Sequence, residues 1–185
     1  MHEVSLGQTI QDYLTGQDLE MTTYEDLRQG LARLLVEEKG YPKTNLTPRV
    51  PIQFEIDGKL FSRKIDLLAH DDQNNAILAL LFCSGTPETY TREAVYAGRL
   101  LPGGPAPLVI VTDSKDARLL RTQDGKELAS GFSSIPTWEQ LQELRKEHPV
   151  PTLDPGRIAR EQRVFYMYSG FLEGCCGQTC PTPTQ

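Results

Sequence analysis

The chain has 185 residues, 38% of them hydrophobic and 24% charged, enough for one domain with a real core plus appendages. No run approaches the roughly 18 apolar residues that a membrane-crossing helix needs. The start, MHEVSLGQTIQDYL, has neither the basic end nor the apolar centre of a secretory signal, so a cytoplasmic protein without a membrane partner is expected. The net charge of −6 and pI near 5.1 weigh against strong unspecific DNA binding, which draws on phosphate contacts. Arg92, Arg99, Lys115, Arg118 and Arg121 either form a local basic face or belong to a mixed solvated surface.

Residues 1–22 read as a polar lead with a short helical or turn pattern. Thr23, three residues before Asp26, resembles a capping box. Glu25 and Asp26 then stand in a first turn, where the helix dipole favours anions. Leu27, Leu31, Leu34 and Leu35 recur at helical spacing, which predicts an amphipathic helix over residues 24–38. Gly40 and Pro42 close it.

Two strand-like runs, RVPIQFEI and KLFSRKIDLLAH, flank Asp57-Gly58, a strong hairpin signal. Ile52, Phe54 and Ile56 alternate on one run, Phe61 and Ile65 on the other. After a turn at residues 71–75, AILALLFC is nearly continuous in apolar residues, the mark of a central strand covered on both faces. Cys83 within it reads as a small core residue.

Residues 87–101 predict a second helix, and PLVIVTD a further buried strand parallel to the first across a right-handed connection. DARLLRT is a shorter strand, and the turn at residues 123–126 leads toward a partner for it. Thr137 caps a helix over residues 137–147, with Glu139 in its first turn. Pro149, Pro151 and Pro155 interrupt the chain before a helix over residues 156–173. CCGQTCPTPTQ then reads as an irregular tail. The organisation is a lead (1–22), an α/β domain (23–148) and a C-terminal helix with a cysteine-rich tail (149–185). The fold class is α/β: a mixed central β-sheet flanked by helices.

Metal-dependent phosphodiester cleavage needs hard oxygen ligands for Mg²⁺ and a positive group near the scissile phosphate. A hairpin strand ending in Asp beside a strand carrying Glu-x-Lys supplies both, because residues two apart in a strand share a face. The element order here resembles the N-terminal nuclease domain of the type I restriction enzyme R subunit, in the PD-(D/E)XK superfamily, over about residues 20–128. The resemblance rests on residues 24–29 (YEDLRQ), residues 34–42 (LLVEEKGYP), Ile65-Asp66, the strand ending at Cys83, and residues 109–113 (VIVTD). It implies a restriction-endonuclease-like α/β/α core.

In that family a helix Glu and a hairpin Asp help to hold the metal. Glu25 and Asp66 match them. The family's next strand reads like Ile-Glu-Cys-Lys. Cys83 falls on the cysteine, so Phe82 stands for the acid and Ser84 for the lysine. The R-subunit members also place a Gln and a Tyr four apart on the next helix; Arg92 and Tyr96 occupy those places, and only the tyrosine agrees. Phe cannot ligate a cation through oxygen, and Ser84 brings no charge to the transition state. Loss of one such stabilising group typically costs ~10²–10³ in rate. The resemblance therefore implies a stand-alone, catalytically inactive domain that binds nucleic acid or a protein partner and needs no cofactor.

Two other readings stay open. In one, an active Mg²⁺-dependent endonuclease uses displaced residues: Glu25, Asp66, Glu93 and Arg92. Against it, Glu25 is an ordinary helix N-terminal acid, and Asp66 ends an edge strand paired with Arg63 or Lys64. In the other, a regulatory or scaffold protein holds zinc or an iron–sulfur cluster through Cys175, Cys176 and Cys180. That spacing lacks the usual Cys-x-x-Cys pair, and a plain thiol tail is the alternative.

Overall fold

The computed structural model describes the backbone of residues 4–176 and the side chains of residues 4–169. The first residues form a hairpin, correcting the expected helical or turn lead: β1 (Ser5–Gln11) pairs antiparallel with β2 (Asp18–Thr22). Its strands hold only a few apolar residues, none of them buried, so the signal that identifies strands is weak there. The connecting turn is built on Asp12, whose Oδ1 accepts from the amides of Leu14 and Thr15 at 2.9 and 2.8 Å.

Helix α1 (Thr23–Arg33) starts one residue earlier than expected. Its cap is Thr22, whose hydroxyl accepts from the Glu25 amide at 3.0 Å, not Thr23. The helix continues into a π-helical turn at Leu34–Glu38. Gly40 then takes a left-handed backbone, with φ of 73°.

The main sheet has six strands in sequence order, β3 (Leu46–Ile56), β4 (Lys59–His70), β5 (Ala76–Phe82), β6 (Leu108–Thr112), β7 (Ala117–Arg121) and β8 (Glu127–Ser130). β5 and β6 are parallel, with Leu78 opposite Leu108 and Phe82 opposite Thr112. The other neighbours are antiparallel. The Asp57-Gly58 turn joins β3 and β4, with positive φ at both residues as a type I′ turn requires. Pro48 and Pro51 are tolerated because β3 is an edge strand.

Helix α2 (Pro87–Arg99) connects the parallel strands. It lies close to the sheet at Gly98, where an added Cβ would come 3.3 Å from Thr122 Cγ2. Helix α3 (Trp138–Glu147) is capped by Thr137 through a full capping box with Gln140. Helix α4 spans Pro155–Cys176, longer than the expected 156–173 at both ends. It takes in Cys175 and Cys176, which the sequence reading assigned to an irregular tail. The side chains of both, and Cys180 altogether, lie outside the described residues, as does the rest of that tail.

Helices cover both faces of the sheet. Leu31 and Leu35 of the α1 segment and Leu141 of α3 pack with Leu78, Leu80 and Phe82. On the other face, Ala94 and Val95 of α2 and Phe165 of α4 pack with Ala79 and Leu81. The β3–β4 hairpin contributes to both layers. Leu46, Leu67 and Ala69 belong to the first, and Val50, Ile52, Phe61 and Ile65 to the second. The change of face falls at Arg49 and Asp66, which stand opposite one another in register but form no ladder pair. Arg49 has φ of 53°, and this backbone reversal turns the alternation over.

Among the described residues, no helix is long and apolar enough to cross a membrane.

Candidate functional site

The structure separates the predicted site residues into three groups. Glu25 lies in the first turn of α1, inside a network of acids and guanidinium groups. Asp12 and Arg28 are both buried. Arg28 pairs with Asp12 and with Glu25, and its Nε donates to Glu25 Oε2 at 3.2 Å. Gln29 Nε2 donates to Glu25 Oε1 at 2.8 Å. Arg49 Nη1 reaches Asp12 at 3.3 Å and Glu25 at 3.5 Å. Burial would raise the Asp12 carboxyl, but the Thr15 amide, Arg28 and the Leu14 amide outweigh it and hold the group at about 2. Both Glu25 oxygens are thus engaged by protein donors.

Asp66 forms the second group. It is interior to β4, the second strand of the sheet, which corrects the expectation that it ends an edge strand. Its Oδ2 accepts from the Phe82 amide at 2.7 Å. A carboxylate thereby takes a place where the β4 backbone would otherwise receive β5, beyond the last ladder pair at Leu67 and Leu80. Burial pushes its pKa up to about 6, against the Phe82 amide and the charges of Arg63 and Arg28.

Tyr24 adjoins this corner. Burial raises its phenol above the ordinary value, opposed by a hydrogen bond with Ser84. Ser84 Oγ also lies 3.1 Å from the Tyr90 hydroxyl. Phe82 is buried at the end of β5, and Cys83, also buried, is a core thiol pushed up by burial to about 12.

The third group is on α2. Glu93 is buried; Arg63 Nε stands 3.3 Å from its Oε1, and Ser169 Oγ of α4 donates to it at 3.0 Å. Arg92, the next residue back, donates instead to the Tyr168 hydroxyl of α4 at 3.1 Å. Tyr96 stacks on the same Tyr168 ring, with centroids 6.2 Å apart. Asp66 and Glu93 both stand within the influence of Arg63, while Arg92 turns to α4 and Glu25 joins the Arg28 network.

These residues fit a divalent cation poorly. Guanidinium groups already occupy the spaces between the acids. Among the described residues the buried Arg28 Nη1 has no hydrogen-bond partner, a spare donor where a cation needs acceptors. Among the described residues, no group of three or more His, Cys, Asp or Glu is placed to hold a metal.

Sequence reasoning missed Asp12, Arg28 and Arg49, and placed Arg63 only as a partner of Asp66. Glu25 and Arg28 at i, i+3 were the available signal. Asp12 had none, because its partners come from α1 and β3. Of the possible basic face, Arg99 pairs with Glu161 at 3.1 Å, Arg118 with Asp116 at 3.2 Å, and Arg121 with Asp124 at 2.5 Å.

Residues 23–136 match the family described as Type I restriction enzyme R protein N terminus (HSDR_N). No curated protein and no solved structure matches the chain.

Proposed function

The chain belongs to the family of type I restriction enzyme R protein N termini, and from that premise we propose that it is a PD-(D/E)XK-type domain with a degenerate site, one that binds a macromolecular partner without cutting DNA. The observation that carries this reading is the engagement of Glu25 by Arg28 and Gln29, together with Phe82 and Ser84 at the positions matched to the family's acid and lysine. An acid already saturated by guanidinium and amide donors has little left for Mg²⁺, because a hard cation needs several free oxygens. Ser84, hydrogen-bonded near Tyr90, carries no charge to set against a developing phosphorane.

Arg63 is one of two described cations that act on Asp66, with Arg28. Its pairing with Glu93 ties it to an internal carboxylate. The corner thus works as a neutralised structural joint, where a nuclease would need free charges facing solvent.

The test is incubation of the purified chain with supercoiled, linear duplex and single-stranded DNA in Mg²⁺ or Mn²⁺. Breakdown no faster than that given by Asp66→Ala is expected. Metal-dependent turnover that disappears in Asp66→Ala would sink the reading and favour a displaced site at Asp66 and Glu93.

A further inference from the structure

Helix α1 and its π-helical end form one wall of a groove of about 450 Å³ at the carboxyl ends of β5 and β6. Leu27, Leu31 and Leu34 line it from the wall, Phe82 from the end of β5, and Phe132, 38% exposed, from the segment after β8. Ligands of open α/β sheets commonly settle beyond the carboxyl ends of parallel strands.

The charge of the lining is lopsided. Asp26, Glu37 and Glu38 contribute carboxylates, and among the described residues Arg33 is the single cation in it. Arg33 is already paired with Glu37 at 3.7 Å. Among the described residues, Asp26 and Glu38 have no ion-pair partner. A phosphate backbone would meet repulsion here, since its affinity comes from cations that neutralise it. A polycation would meet the reverse.

Two backbone features point the same way. Gly30 sits inside α1, where glycine is less stable than alanine. Nothing in the fold requires it, because a Cβ at this position would meet no atom within 4 Å. It lines the groove, so the missing side chain lets another chain approach the helix closely. The π-helical turn Leu34–Glu38 places Leu34, Glu37 and Glu38 along the same lining, and such irregular turns recur at functional sites.

We propose that this groove docks a basic amphipathic helix of a protein partner. Its apolar face would lie over Leu27, Leu34 and Phe132, and its Lys or Arg residues opposite Asp26, Glu37 and Glu38. The proposal rests on the non-cleaving reading, because it gives the cleft beside Phe82 to a peptide and not to a phosphodiester.

The test uses the full chain and a fluorescein-labelled synthetic peptide with Leu at i, i+3, i+4 and i+7 and Lys between. Its counterpart with Glu for Lys, and single-stranded and duplex oligodeoxynucleotides, serve as competitors. Saturable binding of the Lys peptide is expected, with amide shifts confined to the groove lining, at residues 26–38 and around Phe82, Ser114 and Phe132. Gly30→Leu should fill the groove from outside and weaken binding by about tenfold or more, a change easily resolved in Kd, while melting no lower than the parent. The pair Asp26→Lys and Glu38→Lys should weaken it similarly.

No saturable binding, equal binding of the Glu peptide, shifts elsewhere, displacement by oligonucleotide, or a Gly30→Leu protein that binds normally would each overturn the proposal. DNA cleavage measured on the same samples reads the parent proposal separately. Absent cleavage with absent peptide binding defeats only the groove assignment, whereas Asp66-dependent cleavage defeats the non-cleaving reading.

Discussion

The Asp12–Glu25–Arg28–Arg49 network and the Asp66 corner treat buried carboxylates in opposite ways. In the network, two acids share two arginines, backbone amides cap one of them, and its pKa falls to about 2. At the corner, one acid has the Phe82 amide as its close partner, with Arg63 and Arg28 acting on it as charges, and its pKa rises to about 6. Burial opposes ionisation in both places. The number of donors that touch the carboxylate decides which way the balance falls. Arg28 and Arg49 hold Glu25 in the first region.

The hardest blow to this contrast is Arg28→Met. It would leave Asp12 and Glu25 buried around an apolar side chain, and removing one partner of a buried pair costs ~3–5 kcal/mol. Urea denaturation at neutral pH should show a loss of that order. A loss under about 1 kcal/mol, the value of an exposed pair, would show that solvent and not Arg28 balances the acids.

Acid titration tests the network from the other side. The folded pKa of Asp12 lies below its ordinary 3.8, so its stabilisation is present above about pH 4 and disappears as pH falls toward 2. The shift corresponds to about 2 kcal/mol. In Asp12→Asn the fall in stability over this range should be shallower by that amount, measured as the difference between two urea series.

Asp66 should have the reverse sign. With its folded pKa above 3.8, the native state holds the proton more tightly than the unfolded chain. Stability from this group is greatest below about pH 4 and declines until pH passes 6. Allowing for partial exposure, the decline is about 1–2 kcal/mol. Asp66→Asn keeps an acceptor for the Phe82 amide and should flatten the curve between pH 4 and 6. An unchanged slope would mean that the carboxylate is ionised throughout, and the contrast between the two regions would collapse.

The smallest effect belongs to Glu25→Gln. It keeps an acceptor for Arg28 and removes one charge from a network that retains Asp12. A loss of about 1 kcal/mol is expected, seen as a modest drop in denaturation midpoint.

The main sheet was legible because its signals are local. Asp57-Gly58 fixed one turn, the unbroken apolar run of β5 marked the central strand, and Thr137 marked the start of α3. The N-terminal hairpin was not, because its strands are short and hold few apolar residues, none of them buried. Asp12 lay within the polar lead and drew no notice; its partners Arg28 and Arg49 stand far along the chain. The chemistry of Asp66 was half legible. Its type and its place beside β5 could be read, but its interior position in β4 and its bond to the Phe82 amide follow from the kink at Arg49, an arginine whose positive φ no local signal announces.

That kink has a consequence for how the molecule comes apart. Because the β3–β4 ribbon turns over at Arg49, one continuous hairpin plugs into the apolar layers on both sides of the sheet, like a rivet through two plates. Neither layer can loosen without dragging the ribbon out of the other. Tryptophan fluorescence from Trp138 on one side, and far-ultraviolet circular dichroism over the whole chain, should therefore lose signal together in a single melting step.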